Sequence, residues 1–196
     1  MNDHKGFFAM MARMKYIERW ALMRNSVSEN ICEHSLEVAM LAHGLGIIGR
    51  KRFGKDLSPE RLAMLGMYHD CTEIITGDMP TPVKYANDEL KEAYKAIEDS
   101  AAHRLLEMLP EDLRAEYESY FLPEQITPEE YRYVKAADKL SALIKCIEEE
   151  KTGNQEFRSA KQATYESLQQ MNMPEVTVFC EVFLPEYYKT LDELEL

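Results

Sequence analysis

Three short pieces of the chain carry ionisable groups where apolar side chains belong. Glu33-His34 opens one apolar run, His69-Asp70 lies inside a second, and Asp138 lies inside a third. Each run has the spacing of a helix that buries one face, where an uncompensated charge is costly. Four such groups on separate helices can compensate one another through a divalent cation. Two imidazoles and two carboxylates make a mixed nitrogen and oxygen set suited to a hydrolytic metal. On a continuous helix His69, Asp70 and Glu73 share one face, so the Met67–Glu73 turn presents a nitrogen ligand, an oxygen ligand and a further carboxylate together. His34 shares a face with Val38 and Leu41, which points it inward, whereas His43 falls about half a turn away and faces out. Asp138 lies on a stripe with Val134 and Ser141, beside Ala136 and Ala137, whose small side chains permit close helix approach. Taken singly, His34 and His69 read as core histidines, and Asp70 and Asp138 as interhelical polar pairs. The full order His…His-Asp…Asp in helical contexts makes a metal centre the better reading.

The elements that must position these groups are helical nearly throughout. Apolar spacing predicts helices over Phe7–Met23 and Glu33–Gly49, with a polar turn at Asn25–Asn30 between them. Ser58-Pro59-Glu60 is a helix start, and that helix runs to about Thr76, where Gly77 ends it. Asp78-Met79-Pro80-Thr81-Pro82 reads as non-helical. Lys84–Leu109 resumes a long helix stopped by Pro110, followed by a short acidic one over Glu111–Phe121. Thr127-Pro128-Glu129-Glu130 is a capping box whose helix passes through Asp138 to about Lys151. Glu156–Met171 and Val176–Leu184 complete the set, and no strand-like alternation persists.

Bulk properties narrow the function. A chain of 196 residues fits one domain, 1–196. A net charge of −12 without a basic stripe argues against a nucleic-acid polymer or an anionic membrane as partner. A small phosphorylated substrate stays possible, because a metal and one or two cations supply local positive charge. Cys32, Cys71, Cys146 and Cys180 form no C-x-x-C pair and read as reduced thiols in the cytoplasm. Met1–Lys5 lacks the features of a signal peptide, and the apolar stretch Ala39–Ile48 is too short to span a bilayer. The methionines read as core filler, and Glu148-Glu149-Glu150 and Asp192–Glu195 as solvated faces. His4 and His103 receive no role.

The motif order resembles the HD-domain phosphohydrolases, whose ligands are a His, a His-Asp doublet and a distant Asp. Phe7-Phe8, Arg19-Trp20, Leu22-Met23-Arg24-Asn25, Glu29-Asn30, Glu33-His34-Ser35-Leu36, Met67-Tyr68-His69-Asp70, Thr76-Gly77-Asp78 and Pro80-Thr81-Pro82-Val83-Lys84-Tyr85 resemble the bacterial 5'-deoxynucleotidases of the YfbR type. Ala21 stands where that family has proline, and Cys71-Thr72 replaces a smaller pair; neither change removes a ligand.

The resemblance implies an all-α, single-domain HD bundle with a central metal site. His34, His69, Asp70 and Asp138 would hold one divalent ion, Co2+ or Mn2+ favoured, with Zn2+, Mg2+ or Fe2+ also compatible. The implied reaction is hydrolysis of a deoxyribonucleoside 5'-monophosphate. Glu73 is either a general acid/base or a partner orienting His69. Arg19 offers a fork for phosphate and takes part in catalysis. Trp20 would reject a 2'-hydroxyl. Asp78 touches a leaving-group oxygen or the sugar, or caps a turn. Pro80 and Thr81 help bind substrate, as do His34 and Asp138, and Lys84 reads as a solvated lysine. Relatives suggest a homodimer. A phosphodiesterase or triphosphohydrolase on the same scaffold, or a metal-bound nucleotide sensor, are the competing readings.

Overall fold

A computed structural model describes residues 5–84 and 86–194, so that His4, Tyr85 and Glu195 lie outside the described residues. The helices among them are α1 (Phe7–Met11), α2 (Ile31–Phe53), α3 (Pro59–Tyr68), α4 (Glu73–Thr76), α5 (Thr81–Lys84), α6 (Asp88–Leu106), α7 (Glu111–Phe121), α8 (Pro128–Lys151), α9 (Arg158–Gln170) and α10 (Pro174–Val182), joined by short 3-10 turns. Among the described residues there is no sheet, only an isolated antiparallel bridge between Glu18 and Asn30.

Helix α2 is the central element and packs against α3, α8 and α10. It starts two residues earlier than the sequence spacing suggests, because Asn30 accepts from the Cys32 and Glu33 amides while Glu33 reaches back to the Asn30 amide. It also runs past Gly49. That glycine is a point of close approach, since a Cβ there would lie 2.8 Å from both Leu57 and the Tyr133 hydroxyl. The stop is Gly54, at φ +64°, which a side chain rarely adopts. By length and composition α2 is apolar enough to cross a membrane, but 56% of its most apolar window is buried inside the fold. Leu36 and Met40 lie on its exposed side.

Apolar side chains gather in two clusters. The larger joins Val38, Leu41 and Leu45 to Leu62, Ala136, Ala137, Leu140 and Ile144, with Val176 and Phe179 of α10. The smaller joins Phe7, Met14, Ile31, Cys71, Leu105 and Phe121. Burying a Leu or Phe side chain stabilises by roughly 1.5–3 kcal/mol. His34 sits between Ile31, in the smaller cluster, and Val38, in the larger, so its polar site occupies the seam between the two.

Four expected elements differ. The helix expected over Phe7–Met23 ends at Met11, turns 3-10 through Tyr16 and then becomes extended, because the Glu18–Asn30 bridge captures the backbone. The helix expected from Ser58 to Thr76 breaks at His69–Thr72 into 3-10-type bonds such as Cys71 N–H to Tyr68 O and Glu73 N–H to Asp70 O. Pro80 does not keep its neighbourhood irregular. Its carbonyl accepts from Val83 and Lys84 and starts α5, where Pro82 occupies a first-turn position that needs no amide donor. Lys84 therefore ends α5, and the next helix starts at Asp88, capped by Asn87.

Candidate active site

His34, on α2, is 0% exposed. Its Nδ1 lies 2.9 Å from the Ser141 hydroxyl, and that hydroxyl donates to Glu37 at 2.6 Å. With its proton given to Glu37, Ser141 accepts from Nδ1–H, which leaves the Nε2 lone pair facing inward. His69 is oriented in the same sense, since its Nδ1 lies 2.7 Å from the Gly66 carbonyl, which can only accept. Gly66 permits that placement, as a Cβ there would press on the Val38 and Ala39 backbone at 3.1 Å.

The doublet converges within the turn that follows Tyr68. Adjacent side chains on a regular helix diverge by about 100°, yet His69 Nε2 lies 3.0 Å from Asp70 Oδ2. That oxygen is also 3.5 Å from His34 Nε2. Asp138, on α8, places Oδ1 3.3 Å from His34 Nε2, while Lys135 donates to Oδ2 at 2.6 Å. Burial alone would raise the Asp70 carboxyl, but His69 and His34 hold it well below the usual carboxylate range. Asp138 is likewise depressed, with His34 and Lys135 outweighing its burial.

The Nε2 atoms of His34 and His69 are buried and have no hydrogen-bond partner of good geometry. Together with an Asp70 oxygen they lie within 4.8 Å of one another. Converging lone pairs and carboxylates in a buried site fit a divalent cation. Asp138 stands next to that trio through its contact with His34.

Glu73, at the start of α4, is 6% exposed, and its Oε2 is buried without a partner. Burial first, then the charges of Asp70 and Asp78, push its carboxyl up to about 10. Asp78 is also raised, chiefly by burial, with the Arg19 charge and the nearby Trp20 backbone opposing the shift. Thr81 is exposed, and among the described residues no side-chain hydrogen bond ties it to the histidines. Lys84 is not simply solvated. It pairs with Glu98 at 2.9 Å and lies over the Tyr94 ring, and Tyr94 in turn donates to the Gly77 carbonyl at 3.2 Å.

Arg19 and Trp20 lie in the irregular segment 17–30, not on a helix. One oxygen of Glu29 accepts from Arg19 at 2.7 Å and from the Trp20 indole N–H at 2.9 Å. Arg19 Nε is buried and unpartnered. Burial opposes its charge, but Glu29 and, more weakly, Asp70, Asp138 and Asp78 favour it and hold its pKa above the ordinary value. Trp20 has φ +60° and packs edge-on against Phe157, with ring centroids 5.3 Å apart. Sequence reasoning named Glu29 and Ser141 without giving them a role, and missed the supporting groups Glu37 and Lys135. Lys135, Asp138 and Ser141 recur at three-residue spacing on α8, which is the signal that could have found Lys135 and given Ser141 its role.

The helical scaffold and the convergence of His34, His69 and Asp70 define a protein of the HD-domain phosphohydrolase fold. An HD-domain phosphohydrolase of Listeria innocua superposes with a TM-score of 0.79 at 23% identity, over 92% of this chain and 87% of that one. The HD phosphohydrolase of cyanophage S-2L, bound to dA and one catalytic Zn2+ ion, superposes with a TM-score of 0.64 at 23% identity, over 93% and 96%. Within that class, residues 6–187 match the YfbR-like 5'-deoxynucleotidase family, and the chain belongs to it. It is 48% identical over 188 residues to a 5'-deoxynucleotidase of Vibrio cholerae, covering 96% of this chain and 97% of that one. It is 46% identical over 188 residues to the 5'-deoxynucleotidase YfbR of Shigella boydii, covering 96% and 94%.

Proposed function

We propose that this chain, acting as one domain over 1–196, is a metal-dependent 5'-deoxynucleotidase. It hydrolyses deoxyribonucleoside 5'-monophosphates to deoxynucleosides and phosphate. The observation that carries the reading is the pair of unpartnered imidazole nitrogens meeting Asp70 in a member of this family. His34, His69, Asp70 and Asp138 would hold one divalent ion, and Co2+ or Mn2+ suits their mixed donor set, with Zn2+, Mg2+ and Fe2+ as alternatives. When bound, such an ion lowers the pKa of water and draws charge from phosphoryl oxygens.

The remaining chemistry belongs to the protein's own side chains. Glu73, buried beside the ligand cluster with one carboxylate oxygen unpartnered, can exchange a proton with the attacking water or the leaving 5'-oxygen. Arg19 has one nitrogen on Glu29 and Nε free, so it can anchor a phosphoryl oxygen and neutralise charge as the ester bond breaks. Trp20 forms a fixed wall, because Glu29 and Phe157 hold its indole from two sides, and a 2'-hydroxyl would have to displace it. Asp78, next to the Trp20 amide, meets the sugar or the leaving oxygen, with Pro80 and Thr81 completing the substrate pocket. The enzyme works in the cytoplasm as a homodimer. The exposed Leu36 and Met40 on α2 and the free cysteines support those two statements.

The test is phosphate and pyrophosphate release from dAMP, AMP and dATP by metal-stripped protein with Mn2+ or Co2+ restored, beside His69→Ala. Metal-dependent phosphate release from dAMP in preference to AMP, lost in the variant, is the expected result. Release of pyrophosphate or triphosphate from dATP with dAMP untouched would overturn it.

A further inference from the structure

Within the acidic run Glu148-Glu149-Glu150 the two outer residues are exposed, as a solvated face requires, but the middle one is not. Glu149 is 1% exposed, and its carboxylate accepts from Ser26 N–H at 2.8 Å, Val27 N–H at 3.3 Å, Asn154 Nδ2 at 2.7 Å and Lys145 Nζ at 2.5 Å. Lys145, also buried, donates in addition to the Val27 carbonyl. Asn154 bonds the Arg24 carbonyl at 2.8 Å, and Thr152 bonds the Ser26 hydroxyl at 2.9 Å. All the loop-side partners belong to the segment that carries Arg19 and Trp20. Glu29 fixes the base of that segment, and the α8 pair fixes its tip. Between them, Asn25 donates to the Trp20 carbonyl, and Trp20 rests on Phe157, whose ring lies 5.7 Å from the Lys145 ammonium. Burying an ion pair is a poor route to stability, since desolvation offsets much of the attraction. A buried pair that satisfies two amides and a carbonyl of another segment instead selects one conformation for that segment.

We propose that Lys145 and Glu149 are positioning residues for nucleotide recognition: they hold the 17–30 segment so that Arg19 and Trp20 face the substrate, and they act on substrate affinity and sugar discrimination without acting on the metal. The inference rests on the reading that Arg19 and Trp20 contact the nucleotide.

The test uses the full chain with Mn2+ and compares Glu149→Gln, Lys145→Met and the milder Asn154→Ala. Lys55→Met serves as control, because it breaks an ion pair to the buried Glu175 that does not touch the segment. Trp20 is the only tryptophan, so intrinsic emission reports its surroundings directly. The expected result for Glu149→Gln is a KM for dAMP raised about tenfold with kcat within about threefold, because Glu29 still holds Arg19 while the segment tip behind Trp20 loosens. Preference for dAMP over AMP should fall, emission should shift to the red, and Mn2+ affinity should stay at the wild-type value. Lys55→Met should lower the melting temperature and leave KM and emission in place. Should the charge variants fail to fold, Asn154→Ala carries the test with the same signs. Wild-type KM and emission in the folded variants would overturn the proposal, as would equal changes in Lys55→Met. An Arg19→Lys variant with wild-type KM would instead overturn the reading of the substrate site, and a red shift in Glu149→Gln would then remain as support for the clamp itself.

Discussion

Ser141→Ala should weaken metal binding without removing a ligand. In the wild type the hydroxyl receives the His34 Nδ1 proton and passes its own to Glu37, so the lone pair is fixed on Nε2. Without the hydroxyl, the 0% exposure of His34 leaves no water to replace it. The metal-free protein can relieve the loss by moving the proton to Nε2, where Asp138 at 3.3 Å and Asp70 at 3.5 Å are ready acceptors. The metal-bound protein cannot, because Nε2 is then a ligand and Nδ1–H stays buried and unpaired. An unsatisfied buried donor costs about 1–3 kcal/mol. The whole of that cost falls on the bound state, so affinity should drop by a factor of about 5 to 150. Such losses match those for residues that orient metal-bound histidines, about 10- to 100-fold. The assay is competition between the protein and a chelator of known affinity for Mn2+ or Co2+, run for wild type, Ser141→Ala and Ser35→Ala. Ser35 is a buried neighbour on α2 whose hydroxyl makes no hydrogen bond, so its loss should leave affinity unchanged. Wild-type affinity in Ser141→Ala would refute the tautomer argument.

Glu29→Gln should loosen both Arg19 and Trp20, because one oxygen holds them; preference for dAMP over AMP should fall by about tenfold, read as a ratio of kcat/KM values. The metal-free protein should lose stability as pH rises from about 5 to 9. Glu73 keeps its proton up to about 10 in the folded state and releases it near its ordinary 4.5 when unfolded, so the folded state binds more protons across that window. Thermal melts in chelator should show this decline flattened in Glu73→Gln, and an identical slope would contradict it. Asp70 and Asp138, being depressed, add stability that is fully present above their unfolded values and is lost only as pH falls toward their folded ones, so they do not set the slope between 5 and 9. Gly66→Ala drives a methyl group against the α2 backbone, with neighbours at 3.1 Å that cannot rotate away; it should cost about 1–3 kcal/mol in denaturant titrations and displace His69 from its orienting carbonyl.

The candidate ligands were legible because ionisable residues are rare on buried helix faces. His34 pointed inward with Val38 and Leu41, and the exposed His43 faced out, as helical spacing requires. The loop was not legible, because Phe8, Met11, Met14 and Ile17 mimic a helical stripe, while the contacts that stop the helix come from Glu29 and from α8. Glu149 was hidden for the same reason, since a glutamate between two glutamates carries no local sign of burial. The 69–72 turn left no breaker residue in the sequence. Its departure from regular helix is visible only in the carbonyl-to-amide pairing. The prolines misled in the opposite sense, because Pro82 is compatible with a helix's first turn.

The Ser26–Glu149 contact joins residues 123 positions apart. Loop closure over such a distance must precede any ordering of the tip. During synthesis the ligand set is complete in sequence once Asp138 has emerged, but the segment bearing Arg19 and Trp20 waits for Glu149 and Asn154. An N-terminal stretch made first is thus fixed among the last.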